Sequence, residues 1–172
     1  MIERPDLNGL RVCFPYHYAI YMMDEGKKRW IPSPQVYTAL FVNQDQPLGG
    51  MIRISPPNRG GVIRDSSIAD ISNGSDIPDT AILFKYYDNS AVFLLDGQAP
   101  NHVKRLITSP AVMNHYGFNW EKIQVWNMPI ASSNILDGNP ITNPPGVIEF
   151  PLDHSPKTNT EITEYNNWRA LL

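Results

Sequence analysis

One heptapeptide occurs twice in this chain. Lys28-Arg29-Trp30-Ile31-Pro32-Ser33-Pro34 and Lys104-Arg105-Leu106-Ile107-Thr108-Ser109-Pro110 share five of seven residues. Each copy follows an apolar run and an acidic–glycine turn: Ala19-Ile20-Tyr21-Met22-Met23 before Asp24-Glu25-Gly26, and Ala91-Val92-Phe93-Leu94-Leu95 before Asp96-Gly97. A duplicated chain must bury each unit against the other, because neither unit has enough apolar surface alone. A fainter echo relates Ile71-Ser72-Asn73-Gly74-Ser75-Asp76-Ile77 to Ile135-Leu136-Asp137-Gly138-Asn139-Pro140-Ile141, with Ile68-Ala69 and Ile130-Ala131 upstream. Asn8-Gly9 is expected to play the same leader role for the first copy. The spacing is too uneven for a solenoid, so two pseudo-symmetric halves in one compact domain are expected.

Within a unit the pattern predicts hairpin, helix, strand. Glu25-Gly26 and Asp96-Gly97 supply turn residues, and the second turn carries the insertion 98–102. The run 91–95 is apolar on both faces, as in a strand covered on both sides. Ser33-Pro34 and Ser109-Pro110 are helix starts, with serine at the N-cap and proline at the first helical position. The helices are predicted over 35–41 and 111–118, with Gly117 closing the second, and strands over 51–54 and 123–126. The chain holds 16 prolines among 172 residues, which disfavours long helices. The exception is a C-terminal helix opened by the capping box Thr158-x-x-Glu161 and carrying Ile162, Tyr165, Trp168, Leu171 and Leu172 on one face. The expected fold class is α+β, mainly β. Residues 1–61 form the first unit, 62–130 the second, and 131–172 a partial third leader, a proline-rich segment and the terminal helix.

The stretch from Ala19-Ile20-Tyr21 through Gly26-Lys27-Lys28-Arg29-Trp30-Ile31-Pro32-Ser33-Pro34 resembles a short repeat of bacterial secreted and envelope-associated proteins. There an aromatic–aliphatic strand precedes a Gly-Lys-Lys-Arg-x-Ile-x-Ser stretch. Phe118-Asn119-Trp120 followed by Ile123 suits the same repeat in the second copy. The resemblance covers about half the chain. It implies an accessory or binding role rather than a reaction.

Composition excludes several functions. A net charge of −3 gives nucleic acid or an anionic membrane no electrostatic purchase. No apolar run reaches the roughly 20 residues that span a bilayer. Met1-Ile2-Glu3-Arg4-Pro5 lacks the features of a secretory leader. The expectation is therefore cytoplasmic synthesis, with release by a non-classical route as the alternative. Cys13 is the single cysteine, so no intrachain disulfide or multi-cysteine zinc site forms, and its apolar neighbours predict a buried thiol. His17, His102, His115 and His154 show no ligand spacing, and no cofactor is expected. Asp76-Ile77-Pro78-Asp79 and Asp137-Gly138-Asn139 read as turn caps rather than calcium loops. No nucleophile elbow or phosphate loop is present.

What remains is a binding module. The ligand-contacting candidates are Trp30, Tyr16, His17, Tyr18, Tyr86 and Tyr87, whose rings offer flat apolar faces with polar edges. Tyr16 to Tyr18 and Tyr86-Tyr87 precede the two apolar strands at comparable places, so two similar sites are expected. Trp120 and Trp126 are expected in the core. Arg29 and Arg105 alternate onto the faces of Ile31 and Ile107, so both should be buried and paired, with Asp24 and Asp96 across their hairpins as partners. Carbohydrate is the first ligand. A structural or toxin component of a protein assembly, including a homo-oligomer, is the alternative. A small hydrolase using Asp65, Asp70, Asp76 and Asp79 comes third.

Overall fold

The computed structural model describes residues 1–14, 17–42, 66–142 and, as backbone, 62–64. The predicted strand at 51–54 and the predicted C-terminal helix lie outside the described residues, as does Tyr16.

Each half begins with a strand that the sequence pattern did not announce. β1 (Arg11–Cys13), β2 (Ile20–Asp24) and β3 (Lys27–Trp30) form an antiparallel meander, followed by helix α1 (Pro34–Leu40) and strand β4 (Val62–Arg64). The second half repeats this as β5 (Leu83–Tyr86), β6 (Phe93–Asp96), β7 (Val103–Leu106), α2 (Pro110–His115) and β8 (Gln124–Trp126), and ends in β9 (Leu136–Asp137). The sheet orders are β3-β2-β1-β4 and β8-β5-β6-β7-β9. β4 lies parallel to β1, as β8 does to β5. The molecule is α+β and mainly β, and its first strands are central ones. They escape a period-based reading because β1 is three residues long and buried throughout, with no alternation to see.

The registers superimpose. Arg11 faces Met22 and Val12 faces Tyr21; Leu83 faces Leu94 and Phe84 faces Phe93. Arg11, Val12 and Tyr21 therefore correspond to Leu83, Phe84 and Phe93. Across the hairpins, Trp30 corresponds to Leu106, because Tyr21 faces Trp30 and Phe93 faces Leu106.

Local chemistry explains each turn and start. Glu25 (φ 51°) and Gly26 (φ 76°) are both left-handed, the condition for a two-residue hairpin whose twist matches its strands. Ser33 accepts a hydrogen bond from the Val36 amide and Ser109 from the Val112 amide, each at 3.2 Å, with proline following in both. Gly117, at φ +66°, ends α2; a Cβ there would lie 2.5 Å from an Arg11 Nη.

The leader segments do not open units; they close them. The Lys28 amide donates to Ser72 O and the Gly74 amide to Lys28 O, so 72–74 runs beside β3, while β9 runs beside β7. The Ile77 amide reaches Trp30 O as the Ile141 amide reaches Leu106 O. Asn8-Gly9 has a different place: the Gly9 amide bonds Met23 O, and Asn8 accepts from the Gly26 amide. By strand pairing, then, Val62–Arg64 and the segment 71–77 belong with the first sheet, and 135–141 completes the second unit instead of starting a third.

The main core draws on both halves. It joins Met22, Ile31, Leu40 and Phe41 to Leu94, Ile107, Val112, Tyr116 and Phe118, with fully buried Cys13 among them. Phe41 bridges Phe118, and these rings stack at 5.5 Å. Two smaller clusters sit on the outer sheet faces: Leu7, Leu10, Val12, Met23, Ile68 and Ile71 on the first, and Phe84, Tyr86 and Phe93 on the second. Among the described residues no helix is long and apolar enough to cross a membrane.

Candidate functional site

At the seam between the halves lies a buried square of charge. The Arg29 guanidinium grips Asp96 with two hydrogen bonds of 2.7 Å and reaches Asp24 at 2.9 Å. Arg105 returns the arrangement, gripping Asp24 at 2.5 and 3.2 Å and reaching Asp96 at 3.1 Å. All four residues are buried. The hairpin partners expected for each arginine are present, but the two-pronged contacts run between halves. Burial disfavours the charged form of Asp96, yet the hydrogen bonds and charge of Arg29, the Gly97 amide and Arg105 outweigh it and hold the carboxyl down at about 2. Burial works likewise against Arg105, and Asp24, Asp96 and Glu25 together raise its pKa.

The repeated lysine and the arginine stems have a second use. Lys28 Nζ donates to Ile71 O, and Lys104 Nζ donates to Ile135 O at 2.7 Å. Arg29 Nε donates to Ser75 O at 2.8 Å, and Arg105 Nε to Asn139 O at 2.7 Å. Arg29 Nη2 adds a longer bond to Asp76 O at 3.4 Å, so the first Lys-Arg pair holds its leader segment by three backbone carbonyls and the second by two, while the arginine tips enter the square. This occupies all four side chains structurally and leaves none for a ligand.

The aromatic candidates separate into a group on the first half and single residues elsewhere. Tyr21 and Trp30 face each other across β2 and β3. The Ile31 amide bonds Ile20 O, so Tyr21 and Trp30 form the non-bonded pair, whose Cα atoms lie about 4.5 Å apart. Two residues beyond Val12 on β1, Phe14 meets Tyr21 at 6.3 Å with the rings at 83°, and His17 meets Phe14 at 5.8 Å and 64°. Trp30 is 40% exposed and Tyr18 63%; His17 is exposed, and Phe14 and Tyr21 are half-buried. Sequence reasoning named Trp30, His17 and Tyr18 but missed Phe14 and Tyr21, which only strand register brings to the same face.

The second half does not reproduce this face. Tyr86 corresponds to Phe14, not to the Tyr16–Tyr18 segment, and is fully buried with its hydroxyl bonded to Ser133. Tyr87 is 59% exposed, away from the third cluster. Trp126 stacks on Phe84 at 3.9 Å and packs against that cluster, but it is half-buried and not enclosed in the core. Trp120 departs from expectation: it is 46% exposed, and its indole N–H donates to Asn114 Oδ1 at 3.0 Å.

Other chemistry finds little support. Among the described residues no three His, Cys, Asp or Glu side chains are placed to share a metal ion. Asp70, Asp76 and Asp79 are all exposed, and Asp65 lies outside the described residues. His115 is taken up by Asn8 O, 2.6 Å from its Nε2. In comparisons with protein families, curated proteins and solved structures, the chain matches none.

Proposed function

We propose that the protein is a non-enzymatic binding module that takes a carbohydrate on the outer face of its first sheet. The observation that carries this reading is the group of Trp30, Tyr21, Phe14 and His17, linked by strand pairing and ring contacts, of which Trp30 and His17 are exposed. Rings with an apolar face and a phenol, indole or imidazole edge suit a sugar, whose C–H surface stacks while its hydroxyls bond at the rim. None of these four is a carboxylate or a permanent cation, which favours a neutral ligand. A glycan array probed with the labelled protein tests the reading: a defined set of sugars bound by the wild type and lost by Trp30→Ala supports it, and a blank array rejects it.

A second reading, a subunit of a protein assembly, draws on the second half, where Leu136 is 74% exposed and Val125 57%. Light scattering separates the two, since an assembly subunit associates without any sugar.

A further inference from the structure

Strand pairing gives Trp30 a polar neighbour on its own face. Residues 72–74 run beside β3: the Lys28 amide donates to Ser72 O at 2.9 Å and the Gly74 amide to Lys28 O at 3.0 Å, so Asn73 pairs with Lys28 in parallel. Paired residues point to the same side of a sheet, and Lys28 shares its side with Trp30, two residues on. Gly74 gives the complementary view: a Cβ there would meet Arg29 Cγ at 3.0 Å and Lys27 Cβ at 3.3 Å, on the opposite side. The second half repeats the arrangement. Gly138 backs onto Val103 and Arg105, and Asp137 turns to Lys104, whose Nζ lies 2.9 Å from its carboxylate. Asn73 therefore stands on the outer face diagonal to Trp30, at the roughly 7–8 Å across which long side chains of a sheet still meet.

The two halves differ in what they put here. On the second, Asp137 is paired with Lys104, and Leu106 stands where Trp30 does. On the first, Lys28 is buried with its Nζ given to Ile71 O, and Asn73 is exposed, its carboxamide bonded to nothing among the described residues. A neutral group that both donates and accepts thus lies free beside the exposed Trp30 ring. We infer that Asn73 is the specificity-determining polar contact of this site: its amide N–H donates to one hydroxyl, and its carbonyl oxygen accepts from the neighbouring one, of a sugar ring stacked on Trp30. This deepens the carbohydrate reading above and rests on it. The ligand is accordingly a neutral sugar with two adjacent free hydroxyls on the edge that overhangs Asn73. The second half, with a leucine and a paired carboxylate at the corresponding places, offers neither contact.

The test is isothermal titration of the intact chain with the methyl glycosides of glucose, galactose and mannose, then with the monodeoxy forms of whichever binds. The wild type should lose about fivefold in affinity for each of two deoxy forms that lack neighbouring hydroxyls. Asn73→Ala, with its melting temperature recorded, should bind the parent sugar about tenfold or more weakly. It should also no longer distinguish those two deoxy forms from the parent, the coupling expected of a direct contact. A folded Asn73→Ala protein that binds like the wild type, or keeps its discrimination, overturns the inference and leaves the carbohydrate reading standing. So does a wild type that binds every deoxy form as it binds the parent, a result that needs no variant. Heat from none of the three sugars overturns the inference, and a blank glycan array overturns the carbohydrate reading with it.

Discussion

Arg29 and Arg105 each do two jobs with one side chain, which is why the repeat retains arginine at these positions. Nε holds a leader carbonyl, and the Nη groups complete a square of two carboxylates and two guanidinium groups. Truncating one corner strands the others without water. Arg105→Ala should therefore cost about 3–5 kcal/mol, read as a shift in the denaturant midpoint; an unchanged midpoint would show that the square contributes nothing. The same square makes stability acid-sensitive. Asp96 titrates at about 2 in the folded protein, below its unfolded value, so its contribution is complete above about pH 4 and disappears as pH falls through 2. It amounts to about 2 kcal/mol. Comparing unfolding at pH 7 and pH 2 checks this, because Asp96→Asn should reduce the difference; an equal difference in both proteins would place the sensitivity elsewhere.

At the level of elements, the two short helices owe their existence to their first residues. Seven and six residues are too few to be stable by propensity, so the serine cap and the following proline carry weight that packing then completes. Ser33→Ala and Ser109→Ala should each cost about 1 kcal/mol, and the two losses should add, since the caps share no partner. Thermal melts of both single variants and the double would reveal coupling if it exists. These elements were legible because a cap is a local signal: Ser-Pro reads the same in a peptide as in a fold. The hairpins were legible for the same reason. β1 and β5 were not, because a three- or four-residue central strand is defined by its neighbours' hydrogen bonds, and Arg11-Val12-Cys13 offers no period to detect. The leader segments were seen as echoes but assigned to the wrong end of the unit. Their place depends on Lys28, Lys104 and the two arginines reaching their carbonyls, a contact spanning 31–46 residues.

For the whole molecule, duplication has produced one core and two unlike outer faces. The seam is matched: Phe41 bridges Phe118, the Val42 amide bonds Gly117 O, and the Asn119 amide bonds Leu40 O. β1 and β5 depart from the match. Arg11 takes the place of Leu83, buried over the Phe41 ring at 4.6 Å with its Nε unpartnered among the described residues. The outer faces differ more. Ile68 and Leu7 cover the Met23 end of the first sheet, where Phe14 and Tyr21 stay half-buried, while Trp126 and Ile130 pack on the Tyr86 end of the second, where Tyr86 and Phe93 are buried. Half of the candidate site was legible as aromatic residues near the first repeat. The remainder, Phe14 and Tyr21, depended on register, and the loss of Tyr86 to the core depended on a tryptophan forty residues away.

The corresponding positions Trp30 and Leu106 provide the most direct measurement. Both are exposed on equivalent strands, so each can be cut to alanine with little effect on folding. Titrating wild type, Trp30→Ala and Leu106→Ala with the same bound sugar should show affinity lost in the first variant and unchanged in the second. Equal affinity in all three proteins would contradict a site on the first half.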